Sequence, residues 1–256
     1  LADVSDLILV HAASPVGFFA YPDKPSRIAA SSANIWTLAE PEEDAEGALR
    51  AVAEILGISK IKNAAHRSQA PIPERPTGEL NPLSLAAAIG ATLPEHAIVV
   101  DESATAGAFL LPSTASAPEH DWLSLTGGAI GMGIPVAIGA ALACPDRRVL
   151  NVESDGSAMY TIQGLWTQAR ENLDVTTVIL SNRSYAILKM ELERTGAAPS
   201  RVAERLFDLG HPDLDFVSLA KGMGVPSVRV HTAEAFVRAL EASYAESGPQ
   251  LIDVTL

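Results

Sequence analysis

The sequence is short of the residues that staple a fold, ligate a metal in clusters or attract polyanions. It has one cysteine, Cys144, in 256 residues, which excludes an internal disulfide framework and a cysteine-cluster zinc site. Cys144 itself reads as a small buried residue at a helix end. Positive charge is scarce: 18 Lys and Arg against 31 Asp and Glu leave a net charge of −13. A chain without a basic face is unsuited to nucleic-acid backbones or anionic membrane surfaces. The histidines, His11, His66, His96, His120, His211 and His231, are scattered with no ligand spacing. There is no Gly-x-Ser-x-Gly elbow, no HExxH pair and no internal repeat. No basic stretch leads into an apolar one at the start, so no secretory signal is expected. Gly127 to Cys144 is 18 residues without a charge, but five glycines and Pro135 interrupt it. With no aromatic belt, it reads as a glycine-rich loop running into a buried helix and not as a membrane span. What is present, 48% hydrophobic and 19% charged residues, fits a packed cytoplasmic protein of one large domain or two small ones.

Strand-like and helix-like patterns alternate. Leu7–Val10 is a strand-like run, and Arg27–Ala30 is a second short apolar stretch. The spacing of Leu49, Val52, Ile55 and Leu56 predicts an amphipathic helix over 43–56 that Gly57 ends. Residues 59–80 read as a linker, with Lys60, Lys62 and Arg67 followed by Pro71, Pro73 and Pro76. Asn81 as N-cap and Pro82 at N1 open a helix to near Leu93. Then come a strand at Ala97–Val100, a short helix at Ser103–Leu110 and the glycine loop with its helix to Leu142. A strand at Val149–Val152, a helix over 161–171 and a strand at Val175–Leu180 follow. A helix over 213–222, a strand at Val228–Val230, a helix from Thr232 to near Glu246 and a strand at Leu251–Val254 complete the series. The expected fold is α/β: a doubly wound parallel sheet with helices on both faces, preceded by the C-terminal part of a second α/β domain in residues 1–58.

The densest chemistry lies between Ser154 and Ile187. Asp155 follows one strand and Asn182 the next, one βαβ crossover apart, and in parallel sheets sites form at the carboxyl ends of strands. A carboxylate and an amide oxygen together suit Mg²⁺ or Ca²⁺, and Mg²⁺ shares its shell with substrate phosphates. Gly156 and Ser157 would open a helix whose N-terminus can hold a phosphate oxygen. The same residues also fit an ordinary βα turn with an Asp-Gly cap. The Gly127–Gly133 loop allows either close backbone approach to a ligand or tight packing of a core helix. A dinucleotide loop would need a strand directly before it and an acid closing the next strand. Glu119–Trp122 is poor strand material and Asp146 comes too early, so that reading is disfavoured. Glu191 and Glu193 could face the pocket, but fit a solvated helix face better.

The span 154–182 resembles the thiamine diphosphate signature, Gly-Asp-Gly followed by Asn-Asn, with Asp155 and Asn182 27 positions apart and Leu165-Trp166-Thr167 between them. The chain is similar over nearly its whole length to the family of thiamine diphosphate-dependent 2-oxo acid decarboxylases and acetolactate synthase large subunits, benzoylformate decarboxylase included. In that likeness residues 1–58 match the end of the middle domain, 59–80 a linker and 81–256 the diphosphate-binding (PP) domain. The resemblance implies thiamine diphosphate and Mg²⁺ as cofactors, with Asp155, the Asn182 side chain and the Ser184 carbonyl as metal ligands. Gly156, Ser157 and the turn through Tyr185, Ala186 and Ile187 would hold the diphosphate, and Ala104 and Thr105 would form a second contact turn. The Gly128 carbonyl would accept from the cofactor's 4′-amino group. The Ile130 N–H would meet the pyrimidine, and its side chain would wedge the cofactor into its bent shape. Ser154 and Ser181 depart from the signature at positions that are not metal ligands. Where benzoylformate decarboxylase has a middle-domain histidine this chain has Ala20, which weakens that substrate assignment. The glutamate that activates the cofactor belongs to an N-terminal domain outside these residues, so this polypeptide alone is expected to be inactive. The implied reaction is attack on a 2-oxo acid and loss of CO₂, giving an aldehyde or a ligated hydroxyketone. The implied assembly is a homodimer or homotetramer whose site takes the N-terminal domain of a second subunit. The alternative is a non-catalytic homologue or fragment that anchors the cofactor without turnover.

Overall fold

The computed structural model describes residues 1–58, 71–198 and 200–256. Among these, contacts divide the chain into two compact units, one of residues 1–58 with 192–198 and one of 71–191 with 200–256. No helix among the described residues is long and apolar enough to cross a membrane.

In the first unit β1 (Asp6–Val10) and β2 (Asn34–Ala39) pair in parallel, Asp6 opposite Asn34. Helix α1 (Ala45–Ile55) begins at Asp44, whose carboxylate accepts the Gly47 N–H at 2.9 Å, and stops at Gly57 with φ +66°. The expected helix and its glycine stop are therefore present. Strand β2 was not expected, because its residues are exposed up to Thr37 and carry no inward-outward alternation. The stretch Arg27–Ala30 forms no strand. Arg27 makes only an isolated antiparallel bridge to Val16.

The second unit is built on six strands: β3 (Ile98–Glu102), β4 (Asp121–Ser124), β5 (Val149–Ser154), β6 (Val175–Ser181), β7 (Ser227–Val230) and β8 (Gln250–Thr255). They are parallel throughout, in the order β4-β3-β5-β6-β8-β7. Strand β4 corrects the reading of Glu119–Trp122. Asp121–Ser124 is a short, largely exposed edge strand, and pairing with β3 supplies what its own residues do not. A strand thus does precede the glycine loop.

Alternation along the strands divides the core in two. Val99, Leu150, Val152, Val178 and Leu180 face one side, against α2 (Pro82–Thr92) and α10 (Ala233–Ala245), with Leu85, Ile89, Phe236 and Leu240. Val100, Val149, Val175 and Ile179 face the other side, against α4 (Gly133–Ala143), α6 (Gly164–Arg170) and α9 (Phe216–Gly222). Fully burying one such side chain is worth about 1.5–3 kcal/mol, so both layers matter to stability. Helix α2 opens as expected: Asn81 accepts the Leu83 and Ser84 N–H groups, each at 3.0 Å, and Ser84 caps back. Helix α10 is capped by Thr232. The end of the expected linker belongs to this unit. Gly78 accepts the Ala233 N–H at 2.9 Å and Glu79 bridges Thr232. Residues 59–70 of that linker lie outside the described residues.

Four further helices follow among the described residues, one of them the single turn α5 (Asp155–Ala158). Helix α3 is Leu110–Thr114. The helix expected at Ser103–Leu110 is a run of turns instead, because Ala104 adopts φ +48°. After β6 come α7 (Ala186–Arg194) and α8 (Arg201–Phe207), neither with a buried residue. Cys144 ends α4 as expected, but only half-buried.

Candidate cofactor site

The chain leaves β3 for β4 on one side and returns to β5 on the other, so the sheet has its switch point between β3 and β5. Ligands of open α/β sheets bind in that crevice, at the carboxyl ends of the strands. Glu102, the turn at 103–106, the glycine loop and Asp155 all meet this edge.

Asp155 directly follows β5 and opens α5 (Asp155–Ala158), a single turn and not the start of a long helix. It is 2% exposed. Its Oδ1 accepts the Gly156 N–H at 2.8 Å and its Oδ2 the Arg183 N–H at 2.6 Å. The second bond joins the end of β5 to the turn after β6, one residue from Asn182, as the crossover topology requires. Burial pushes the Asp155 carboxyl up. Only backbone N–H groups offset that burial, with no cationic side chain among the described residues.

Asn182 is half-buried and its Oδ1 accepts the Ser184 N–H at 2.9 Å. Arg183, between them, adopts φ +59° and turns the chain. The Ser184 carbonyl accepts the Ala186 N–H at 2.8 Å. The turn is fastened from behind: Tyr185 donates to the Phe207 carbonyl and Leu209 to the Arg183 carbonyl, each at 2.9 Å. Gly156 lies against the Tyr185 ring. A Cβ there would run into Cε1 and sit 2.7 Å from Cδ1, so any larger residue would have to displace the ring. Ser157 is buried, Ala186 half-buried and Ile187 exposed, while across the edge Ala104 is exposed and Thr105 half-buried. The donor atoms expected at the metal thus meet at the neighbouring ends of β5 and β6, Asn182 Oδ1 and the Ser184 carbonyl held by bonds across two residues and Asp155 tied to both its own turn and the turn after β6. No group of three or more His, Cys, Asp or Glu among the described residues could hold a metal. Any metal here would rest on one carboxylate, an amide and a carbonyl.

The glycine loop has positive φ at Gly127, Gly128 and Gly131. The Ile130 N–H donates to the Gly128 carbonyl at 3.1 Å. The two backbone groups that the resemblance assigns to the pyrimidine are therefore bonded to each other, and Ile130 is 40% exposed beside them.

Beneath the loop lies a group that sequence reasoning missed. Glu102 and Glu153 are register partners on β3 and β5, each 1% exposed, and Asn151 is fully buried. The Glu102 carboxylate accepts the Gly131 N–H on one oxygen and the Gly133 N–H at 2.5 Å on the other. Among the described residues, neither Glu153 oxygen nor either Asn151 side-chain atom makes a hydrogen bond of full geometry, although the Asn151 side chain and the Ile134 N–H approach the Glu153 carboxylate closely enough to favour its charged form a little. Burial, and then the neighbouring Glu102, drive the Glu153 carboxyl well above the ordinary range. Burial raises Glu102 too, and the Gly133, Gly131 and Met132 N–H groups hold it back. The signal was there: Asn151 and Glu153 occupy the inward positions of an otherwise apolar strand.

Residues 106–254 match the family of thiamine pyrophosphate (thiamine diphosphate) enzymes, C-terminal TPP-binding domain. The chain belongs to this family. It is 54% identical over 258 residues to a Mycobacterium tuberculosis protein provisionally named acetolactate synthase large subunit IlvX, a match covering 100% of this chain and 49% of that protein. It is 33% identical over 211 residues to benzoylformate decarboxylase of Pseudomonas aeruginosa, covering 78% of this chain and 38% of that enzyme. Among solved structures, the thiamine diphosphate-dependent 4-hydroxybenzoylformate decarboxylase of Rhodococcus jostii RHA1 superposes with a TM-score of 0.69 at 28% identity, over 98% of this chain and 48% of that one. The chain thus spans half or less of the length of these relatives.

Proposed function

We propose that this chain is the cofactor-anchoring part of a thiamine diphosphate- and Mg²⁺-dependent enzyme that decarboxylates a 2-oxo acid, with or without ligation to a second carbonyl. The observation that carries this reading is Asp155. It is a buried carboxylate with no cationic partner among the described residues, tied by the Arg183 N–H to the Asn182 turn on the neighbouring strand. A divalent cation is the partner that such a carboxylate lacks, and an oxygen-only donor set with few protein ligands suits Mg²⁺ bridged to phosphate. The residues fit that group: Asp155, Asn182 Oδ1 and the Ser184 carbonyl would hold the metal. Gly156, Ser157 and the turn through Tyr185, Ala186 and Ile187 would hold the diphosphate, with Ala104 and Thr105 across the crevice.

When bound, thiamine diphosphate supplies a nucleophilic carbon and an electron sink for decarboxylation. The protein's share is placement. The buried Asp155 carboxylate would supply the negative charge that balances a bound Mg²⁺. The Gly128 carbonyl and Ile130 N–H would exchange their mutual bond for bonds to the pyrimidine, and the Ile130 side chain would support its bent shape. In this reading residues 1–58 are the end of a middle domain and 81–256 the PP domain of a cytoplasmic homodimer or homotetramer. The N-terminal domain of a second subunit would supply the activating glutamate, so the chain alone would bind cofactor weakly and without turnover.

The test is a thermal melt with Mg²⁺ and thiamine diphosphate. Ligand at a hundred times its Kd stabilises by about 2.7 kcal/mol, roughly 5–10 °C in Tm for a chain of this size. Asp155→Ala should abolish that shift. A well-folded wild type that shows no shift would sink the cofactor reading.

A further inference from the structure

We propose that Glu102 is a positioning residue that fixes the glycine loop from below and so sets the aim of Ile130 at the cofactor's pyrimidine. The role rests on reading this loop as the pyrimidine's seat. Glu102 ends β3, and its side chain lies on the sheet face that carries α4, as do Ile98 and Val100 four and two residues earlier. Its two oxygens take the N–H groups of Gly131 and Gly133, which are the residue after Ile130 and the first residue of α4. No side chain of the preceding residue caps α4. Glu102 therefore does from a neighbouring strand what an N-cap does from within a helix, giving the first N–H groups a negative partner.

The Gly131 peptide is gripped on its other side as well. Thr161 donates its hydroxyl to the Gly131 carbonyl at 3.0 Å, and Gly131 lies close enough to Tyr160 that an added Cβ would sit 2.7 Å from the tyrosine Cβ. Ile130 thus leaves an anchored residue on one side. On the other lie Gly127 and Gly128 at φ +61° and +69°, and an added Cβ on Gly127 would meet nothing within 4 Å. One end of the loop is clamped from the sheet and from Thr161, while the other is held by turn bonds of its own, Ala129 N–H to the Thr126 carbonyl at 3.2 Å and Ile130 N–H to the Gly128 carbonyl at 3.1 Å. A clamp of this kind lets the Gly128–Ile130 bond open without the Ile130 side chain losing its direction. A carboxylate suits the task because both oxygens accept. Glutamine would keep the shape but could accept only one of the two N–H groups.

Two measurements on the chain test this, comparing wild type with Glu102→Gln and Thr161→Val. The first is amide hydrogen exchange without ligand. Gly131 and Gly133 should exchange at least tenfold slower than Gly127 in wild type, and Glu102→Gln should remove most of that protection while Tm shows the protein still folded. Unchanged protection in Glu102→Gln would overturn the clamp. The second compares Kd for Mg²⁺–thiamine diphosphate with Kd for Mg²⁺–pyrophosphate, which shares the diphosphate anchor and lacks the pyrimidine. Glu102→Gln should weaken thiamine diphosphate about tenfold and leave pyrophosphate unchanged. Thr161→Val should show a smaller effect of the same pattern. Equal weakening of both ligands would mark Glu102 as merely structural. If wild type bound pyrophosphate no more weakly than thiamine diphosphate, the loop would not seat a pyrimidine and the positioning role would fall. If wild type bound neither, the cofactor reading itself would fail, while amide exchange would still report on the clamp.

Discussion

Two buried carboxylates stand two residues apart at the end of one strand, one inside it and one just beyond, and meet opposite fates. Asp155, just past the end of β5, has a backbone N–H on each oxygen and its edge of the sheet open to a cation. Glu153, inside the strand, makes no hydrogen bond of full geometry among the described residues, has only the weak approach of the Asn151 side chain and the Ile134 N–H, and faces a second carboxylate in register. Burial raises both. The difference is position. At a strand end the turns supply N–H groups with no ladder partner, and a carboxylate there can stay charged and wait for a metal. Within the strand every backbone N–H is already committed to a neighbour, so a carboxylate there has only side chains and a helix end to turn to. Glu102, at the last residue of β3, takes the loop N–H groups that Glu153 does not reach. The sheet edge thus sorts three acids: Asp155 toward a ligand, Glu102 toward the loop, and Glu153 toward carrying a proton.

The largest effect should come from removing charge at the favoured position. Asp155→Asn keeps the shape but loses the charge that holds the metal, and should weaken Mg²⁺–thiamine diphosphate binding at least about a hundredfold, or ~2.7 kcal/mol. Calorimetric titration would read this. Binding within threefold of wild type would mean that Asp155 is no more a ligand than Glu153. Next is the loop between the two acids. Gly131→Ala forces φ +90° on a residue with a Cβ and drives that atom toward Tyr160. The expected cost is about 2–4 kcal/mol of stability. Gly127→Ala meets open space, so only its backbone strain remains, about 1 kcal/mol. Denaturant melts of the pair should separate; equal costs would mean that the loop is not clamped at its Gly131 end.

What could be read from the sequence followed from local rules, and what could not depended on distant partners. Asn81-Pro82 marks the start of α2, and the apolar runs of β5, β6 and β8 declare themselves. Asp155 and Asn182 could be found because each follows a strand that the apolar pattern marks, one βαβ crossover apart, and because their spacing matches the signature that the chain resembles. Strand β4 escaped because an exposed edge strand is defined by its neighbour. The expected helix after Ser103 failed on one residue, Ala104, whose positive φ no propensity foretells. The Glu102 clamp spans 29 residues to Gly131 and is invisible to any local window. Only the inward alternation of Glu102, Asn151 and Glu153 hinted that the apolar layer was broken there.

The smallest effect tests the unfavoured acid. Because Glu153 holds its proton more tightly in the folded chain than in the unfolded one, folding takes up a proton as pH rises past the ordinary glutamate range. The stability that goes with that proton is complete below the unfolded value and is lost as pH climbs toward the raised folded value. Glu153→Gln fixes the neutral form and gives the Asn151 amide a neutral neighbour. It should therefore be more stable than wild type at pH 8, by about 1 kcal/mol or roughly 2–4 °C in Tm. The gain should shrink toward zero near pH 4, where wild-type Glu153 is protonated in both states. Thermal melts from pH 4 to pH 9 would check the sign. A gain that stayed constant with pH would mean that Glu153 does not titrate in this window, and a loss of stability at pH 8 would mean that its charged form is held by a partner after all. Either result would erase the contrast with Asp155.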